Sequence, residues 1–377
     1  MSAAAKDGLV AAIGLMSGTS MDGIDAALIW TDGLSAVRTG AALTLPYDEA
    51  LRRRLRKVVA ERGADPKARE RVARDITLAH AEAVKRLLAG TGIDAGKIDV
   101  IGFHGHTVFH NPAERVTVQI GDPALLAEQT GIGVVAQMRL ADVKAGGQGA
   151  PLVPLYHAAL ASGLEKPVAV LNIGGVANVT WLGAAGRIVA YDCGPGNALI
   201  DDFVHAKTGK LYDASGTLSL SGKVDEALLA KLFDHPYFDL ASPKSLDRNA
   251  FDASCVFALS AADGAATLAA FTVQAAARSL LRLGNPKQLL VCGGGRLNRG
   301  IMAGLAAALP ETEVSPVEKV SWRGDALEAE AFGYLAVRSL KGLPLSLPST
   351  TGVPQAMPGG EYTAAPGRAP ISLAAAS

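Results

Sequence analysis

The stretch Val10-Ala11-Ala12-Ile13-Gly14-Leu15-Met16-Ser17-Gly18-Thr19-Ser20-Met21-Asp22-Gly23-Ile24-Asp25 decides how the rest of the chain is read. Its apolar part is far shorter than the ~20 residues that span a bilayer. It follows Asp7 without the basic cluster or cleavage site of a secretory leader. Residues 10–15 therefore read as a buried strand. The strand runs into small hydroxyls and glycines (Ser17, Gly18, Thr19, Ser20, Met21, Asp22, Gly23, Ile24, Asp25), which offer main-chain donors without bulk, as a phosphate-binding turn requires. Asp22 and Asp25 suit a divalent cation that neutralises phosphates, with Asp22 the expected metal ligand. The plainer alternative is a hairpin turn whose polar groups satisfy their own backbone.

The same pattern recurs twice. Leu171-Asn172-Ile173-Gly174-Gly175-Val176-Ala177-Asn178 places glycines and asparagines between apolar runs. Cys292-Gly293-Gly294-Gly295-Arg296-Leu297-Asn298 follows a strand and opens a helix, whose N-terminus favours an anion. The expected nucleotide contacts are therefore Gly18 to Asp25, Asn172, Gly174, Gly175, Asn178, Gly293, Gly294, Gly295 and Asn298. Neither a Walker-type lysine loop nor a Gly-x-Ser-x-Gly elbow occurs; Gly96, Gly209 and Gly222 each precede a lysine but continue with Ile, Leu and Val.

Further stretches are polar amid apolar surroundings. Phe103-His104-Gly105-His106-Thr107-Val108-Phe109-His110 carries histidines without a nearby carboxylate, so it reads as a sugar-binding loop ahead of a metal site. Arg139, Asp142 and the turn Gly146-Gly147-Gln148-Gly149-Ala150-Pro151 combine a cation, a carboxylate and flexible glycines, suited to a hydroxylated substrate or to an interdomain hinge. Tyr191-Asp192-Cys193-Gly194-Pro195-Gly196-Asn197 puts a carboxylate at a strand end before a rigid turn. Asp192 reads equally as a general base or as the cap of that turn.

Composition bounds these readings. The 377 residues, 49% hydrophobic and 19% charged, fit a compact protein of about two domains. Lys plus Arg and Asp plus Glu are 36 each, so the basic surplus that drives nucleic-acid or anionic-membrane binding is missing. Cys193, Cys255 and Cys292 are too scattered for a disulfide framework or zinc site, which points to a reducing cytoplasm. Apolar runs alternate with helical periodicity, the signature of an α/β protein. Strands are expected over 10–15, 99–103, 132–135, 167–173, 178–182, 187–191 and 288–292. Helices are expected over 65–89 (stopped by Gly90), 123–129, 197–207, 224–233, 263–283, 299–309 and 325–340. The cluster Arg52-Arg53-Arg54-Leu55-Arg56-Lys57 reads as a solvated helix face. The tail after Leu343 reads as mostly irregular.

Taken in order, Met16 to Asp25, Phe103-His104-Gly105, Gly146 to Leu152, Asn172 to Gly175, Asp192 to Asn197, Cys292 to Gly295 and Glu328-Ala329 resemble the anhydro-N-acetylmuramic acid kinase family over about 13–352. The resemblance implies a two-lobed, actin-like (ribonuclease H-like) ATPase and sugar kinase fold, with mixed sheets flanked by helices and a central cleft. Residues 1–135 plus 326–377 would form one lobe and 136–325 the other. It implies ATP with Mg²⁺, Asp192 and Glu328 as catalytic residues, and an anhydro amino sugar met by His104, His106, Arg139, Asp142, Gln148, Gly149, Pro151, Gly194 and Asn197. It also implies a homodimer. In this chain His106 stands where the family pattern has Gln, Cys193 where Thr is frequent, and Leu246-Asp247 where Thr-Gly usually precedes the Arg of Arg248. Competing expectations are a sugar kinase or ATP-dependent hydrolase with another substrate, or a sugar-sensing ATPase without turnover.

Overall fold

The computed structural model describes residues 8–18 and 20–368, so Thr19 lies outside the described residues. Its strands are β1 (Val10–Met16), β2 (Gly23–Thr31), β3 (Val37–Pro46), β4 (Val100–Phe103), β5 (His106–Asn111), β6 (Val116–Ile120), β7 (Val134–Ala136), β8 (Val168–Ile173), β9 (Val176–Leu182), β10 (Ile188–Pro195), β11 (Gln288–Cys292), β12 (Glu313–Pro316) and β13 (Glu361–Thr363). The chain divides into two compact units, Met1–Ser162 with Ala326–Ser377, and Gly163–Asp325.

The first unit's sheet has the order β13-β7-β4-β1-β2-β3. β2 runs antiparallel to β1 and β3, while β4 and β7 add in parallel on the other side of β1. The second unit's sheet is β10-β9-β8-β11-β12, with β9 antiparallel to its neighbours and β11 and β12 parallel to β8. Apart from β13 the two orders are the same: a meander of three strands, then two more strands returning in parallel. Helices Pro66–Thr91 and Ala261–Leu283 lie within the long crossovers that such parallel pairing requires. This is the ribonuclease H-like arrangement, present twice, as expected. The loop after Met16 and the turn at Gly174 and Gly175 are thus the same hairpin in each unit. Likewise, His104-Gly105 and Gly293 follow equivalent strands, β4 and β11.

Each unit buries its own apolar cluster, built on Leu15, Ile24, Leu55, Ile76 and Leu126 in the first and on Leu171, Val179, Phe203, Phe271 and Val291 in the second. Helix Leu327–Leu340 lies against the first sheet backbone to backbone. A Cβ at Gly14 would sit 1.7 Å from the Ala329 carbonyl oxygen, and one at Gly102 would sit 2.0 Å from that of Phe332. Helix Glu49–Ala60 buries Leu51, Leu55 and Val58 and turns Arg53, Arg54 and Lys57 to solvent, where Arg53 pairs with Glu49 and Arg54 with Asp75. This is the solvated face expected of the basic cluster.

Two expectations need correcting. Helix Pro66–Thr91 runs through Gly90 and ends at Gly92, whose φ of 67° supplies the left-handed cap. The unit boundary falls after Ser162, not after Val135. Ala136 pairs with Glu361, Asp142 bonds Ser346 and Thr351, and the Tyr156 hydroxyl donates to Glu330 Oε2 at 2.8 Å, so 136–162 is tied to the first unit. The described part of the tail after Leu343 is mostly irregular, as expected, interrupted by helix Pro348–Thr351 and β13. Among the described residues no helix is long and apolar enough to cross a membrane.

Candidate active site

In the second unit, strand register assembles the candidate residues. Asn178 lies opposite Asn172 across β8–β9 and opposite Asp192 across β9–β10, while Asn172 lies beside Cys292 across β8–β11. Directly opposed residues project from one face. Asn172, Asn178 and Asp192 therefore stand in a row, on the face away from the buried Leu171, Ile173, Val179 and Tyr191. Register breaks between Asp192 and Gly194, a bulge of the kind that re-aims a side chain.

Residues far along the chain hold Asp192. Its amide donates to the Lys244 carbonyl at 3.1 Å, the Leu246 amide donates to its Oδ2 at 2.8 Å, and the Tyr237 hydroxyl donates to its carbonyl at 2.5 Å. The segment around Lys244, rather than the following turn, supplies this carboxylate contact. Burial, reinforced by the Asp192 charge, pushes the Cys193 thiol and the Tyr237 phenol up, so both stay protonated at neutral pH. Lys244, held down by partial burial, sits 4.3 Å above the Tyr237 ring.

The glycine turns lace together. Asn197 donates from its amide to Gly174 O at 2.7 Å and from Nδ2 to Ile173 O at 3.0 Å, and Gly196 donates to Gly175 O at 3.0 Å. Gly293, at φ 70°, leaves no room for a side chain: a Cβ would lie 2.4 Å from Asn172 Oδ1. Gly294 and Gly295 begin a short turn of helix. Two of the expected ligand contacts also have structural roles. Asn298 is buried and uses its carboxamide oxygen to cap helix Arg299–Ala308, accepting from Gly300 and Ile301 at 2.9 and 3.1 Å. Gly194 is a packing glycine, its Cβ position 2.5 Å from that of Ala275. Sequence reading missed Arg296, whose buried guanidinium bonds Gly293 O at 3.0 Å, Glu318 at 2.8 Å and Asp325 at 2.9 Å. It clamps the glycine turn from behind.

In the first unit, the β1–β2 loop is both a hairpin connection and a tight turn. The Met21 amide donates to Gly18 O at 3.1 Å, with Met21 at φ 54°. Gly23, Ile24 and Asp25 already belong to β2. Ile24 is fully buried in the core, and Asp25 accepts from Thr44 at 2.6 Å across β2–β3, so neither is placed as the expected nucleotide contact. Asp22 pairs with Arg52 at 2.5 Å, and Arg52 also reaches Ser20 O at 3.4 Å. Among the described residues no group of three or more His, Cys, Asp or Glu side chains could hold a metal ion. The carboxylate of Asp22, the expected metal ligand, faces the Arg52 guanidinium.

Several expected sugar contacts turn inward. Arg139 Nε donates to His104 Nε2 at 3.0 Å, and since a guanidinium cannot accept, His104 is the neutral tautomer donating from Nδ1 to Gly105 O at 2.9 Å. Burial first, then the Arg139 charge, keeps this ring well below the usual histidine range. Asp142 is buried, its Oδ1 taking the Gly149 amide at 2.6 Å and its Oδ2 the hydroxyls of Ser346 and Thr351. His106 lies inside the unit with Nδ1 2.9 Å from Ser17 Oγ. These side chains hold loops, because each hydrogen-bonding atom just named already has a partner within the unit. Arg139 also donates to Gly149 O at 2.7 Å, while half-buried Gln148 donates its amide to Thr351 O at 2.6 Å and Pro151 is buried beyond it. Glu328 is half-buried in the first turn of helix Leu327–Leu340.

A ribonuclease H-like sheet present twice, with a polar turn at the same hairpin of each copy, is the actin-like class of α/β fold. The family model described as anhydro-N-acetylmuramic acid kinase matches residues 10–364. The anhydro-N-acetylmuramic acid kinase of Rhodospirillum rubrum is 53% identical over 360 residues, covering 95% of each chain. Those of Paramagnetospirillum magneticum and Acidiphilium cryptum are 52% and 54% identical, covering 93% of this chain and 99% and 97% of theirs. The chain belongs to the anhydro-N-acetylmuramic acid kinase family, and it is an enzyme of the kinase class.

Proposed function

We propose that this protein opens the 1,6-anhydro bridge of anhydro-N-acetylmuramic acid with water and phosphorylates the freed 6-oxygen from ATP, yielding N-acetylmuramic acid 6-phosphate and ADP for cell-wall recycling. Asp192 takes a proton from the attacking water, whose oxygen bonds to C1. The C1–O6 bond breaks with its electron pair going to O6. O6 then bonds the γ-phosphorus as the bond to the ADP oxygen breaks, and the proton on Asp192 returns to solvent. The carboxylate thus generates the nucleophile without bonding phosphorus.

In the first unit Gly18, Ser20, Met21 and Asp22 would serve as a phosphate-binding turn; in the second, Asn172, Gly174, Gly175, Asn178, Gly293, Gly294 and Gly295 would serve as nucleotide contacts. Mg²⁺ would arrive as part of the ATP substrate. Arg139, Gln148 and Gly149 would frame the sugar, Asn197 would brace the turn beside the base, and Glu328 would position sugar or water. The reading extends to a homodimer, as the family resemblance implies, in a reducing cytoplasm. Three free cysteines fit that compartment.

One observation carries the assignment: Asp192 stands at a β-bulge in the same register row as Asn172 and Asn178. Asp192→Asn keeps the shape and an acceptor for the Leu246 amide. It should fold and bind ATP while kcat falls roughly 10²–10⁴-fold. Turnover near wild type would remove Asp192 as the base.

A further inference from the structure

Regular alternation along β5 would put His106 and His110 on one face. The pairing with β6 does otherwise. His106 lies opposite Ile120 and His110 opposite Thr117, with a register shift between Thr107 and Phe109. Thr117 and Ile120 are an odd number of residues apart on β6, so they face opposite sides. The bulge therefore turns His110 away from the side on which His106 is buried.

On its own side His110 meets the turn 146–151. Its Nε2 lies 2.9 Å from Gln148 O, and its Nδ1 lies 3.0 Å from Thr117 Oγ1. A carbonyl oxygen only accepts, so Nε2 carries a proton and donates it, whatever the charge on the ring. The Gln148 amide donates to Thr351 O at 2.6 Å, so His110 takes up the other main-chain group of the same residue. Ring and turn also touch: a Cβ at Gly149 would sit 3.2 Å from His110 Cε1. Asp142 and Arg139 hold the amide and the carbonyl of Gly149 in the same manner. Every main-chain polar group of Gln148 and Gly149 thus has a partner, and His110 supplies one from a separate strand pair.

We propose that His110 is the positioning residue of the turn at Gln148 and Gly149: the Nε2 proton it donates to Gln148 O fixes where that turn stands. The catalytic effect rests on the reading that Gln148 and Gly149 frame the sugar. A displaced frame weakens sugar binding and leaves the nucleotide contacts as they were.

In the full chain, hydrogen exchange across 146–151, read by mass spectrometry, should run about tenfold faster in His110→Leu, as for one lost hydrogen bond. In the same variant KM for the anhydro sugar should rise about tenfold while KM for ATP stays within about twofold. His110→Gln carries an amide nitrogen as many bonds from the backbone as Nε2, so it should restore both readouts. Unchanged exchange in His110→Leu overturns the positioning role. So does a His110→Gln variant that behaves like His110→Leu, because the ring and not its proton would then matter. Equal rises in both KM values would mean a general loosening, and they overturn it as well. Faster exchange with an unchanged sugar KM overturns the effect on the sugar, and Gln148→Ala then separates two causes. A raised sugar KM in Gln148→Ala keeps the turn as a sugar frame and removes only the part given to His110. An unchanged one removes the sugar reading of the turn too.

Discussion

The Leu246 amide donates to Asp192 Oδ2 across 2.8 Å, although the two residues are remote in sequence. Two backbone contacts from either side of Ser245, at Lys244 O and Leu246 N, hold the carboxylate and its own amide at once. An oriented carboxylate meets water in one geometry, and that orientation is part of its effectiveness.

Leu246→Pro removes this donor. It should lower kcat about 10- to 100-fold, the cost of losing one charge-assisted hydrogen bond in the transition state. Leu246→Ala, which keeps the amide, should retain kcat within about threefold. Steady-state kinetics on both, with melting curves to confirm folding, separate the amide from the side chain; equal losses in the two would show that the amide is not what matters.

Gly14 tests how the sheet is covered. Its Cβ position lies 1.7 Å from a backbone oxygen, so Gly14→Ala cannot be absorbed by a side-chain rotation. Urea unfolding should show a loss of about 3 kcal/mol or more, the upper end of overpacking costs. Gly90→Ala is the control. Gly90 lies inside a helix with nothing within 4 Å of its Cβ position, and the change should stabilise by about 0.5–1 kcal/mol.

Buried histidines predict acid sensitivity. Burial holds His80 and His106 each down at about 4, and holds His104 well below its usual value. Unfolded histidines titrate near ~6.5, so below that pH the unfolded chain binds protons that the folded chain refuses. Stability is therefore full above about pH 6.5 and declines toward about pH 4. His80 and His106 each contribute on the order of 3 kcal/mol at most. Urea unfolding near pH 7.5 and near pH 5 should differ by several kcal/mol; equal stabilities would mean that these rings are not held neutral.

Much of this was legible in the sequence. Strands β1, β8 and β11 are continuous apolar runs ended by glycine, which is how a strand buried on both faces reads. β3 was not legible, because Val37–Pro46 contains Gly40, Ala41 and Ala42 and stays partly exposed. β5 was hidden by its histidines, which look like a ligand loop until pairing with Val116–Ile120 is known. Asp192 stood out through its rigid turn, but read equally as a base or as the cap of that turn. Its support from Lys244 and Leu246 is long-range and leaves no local mark. The same blindness explains Asp142 and His104: a polar residue in a glycine loop has one appearance whether it grips a ligand or holds the loop, and here the partners Ser346 and Thr351 lie near the other end of the chain. Arg296 was not singled out for the same reason, its partners Glu318 and Asp325 lying outside the glycine stretch.

The most direct test follows oxygen. Turnover of the anhydro sugar with ATP and Mg²⁺ in ¹⁸O-labelled water, with mass spectrometry of the product, reports which atom the water attacked. Label is expected on the C1 hydroxyl of the sugar phosphate and none in its phosphate group. Label in the phosphate, or an unlabelled C1 hydroxyl, would contradict it.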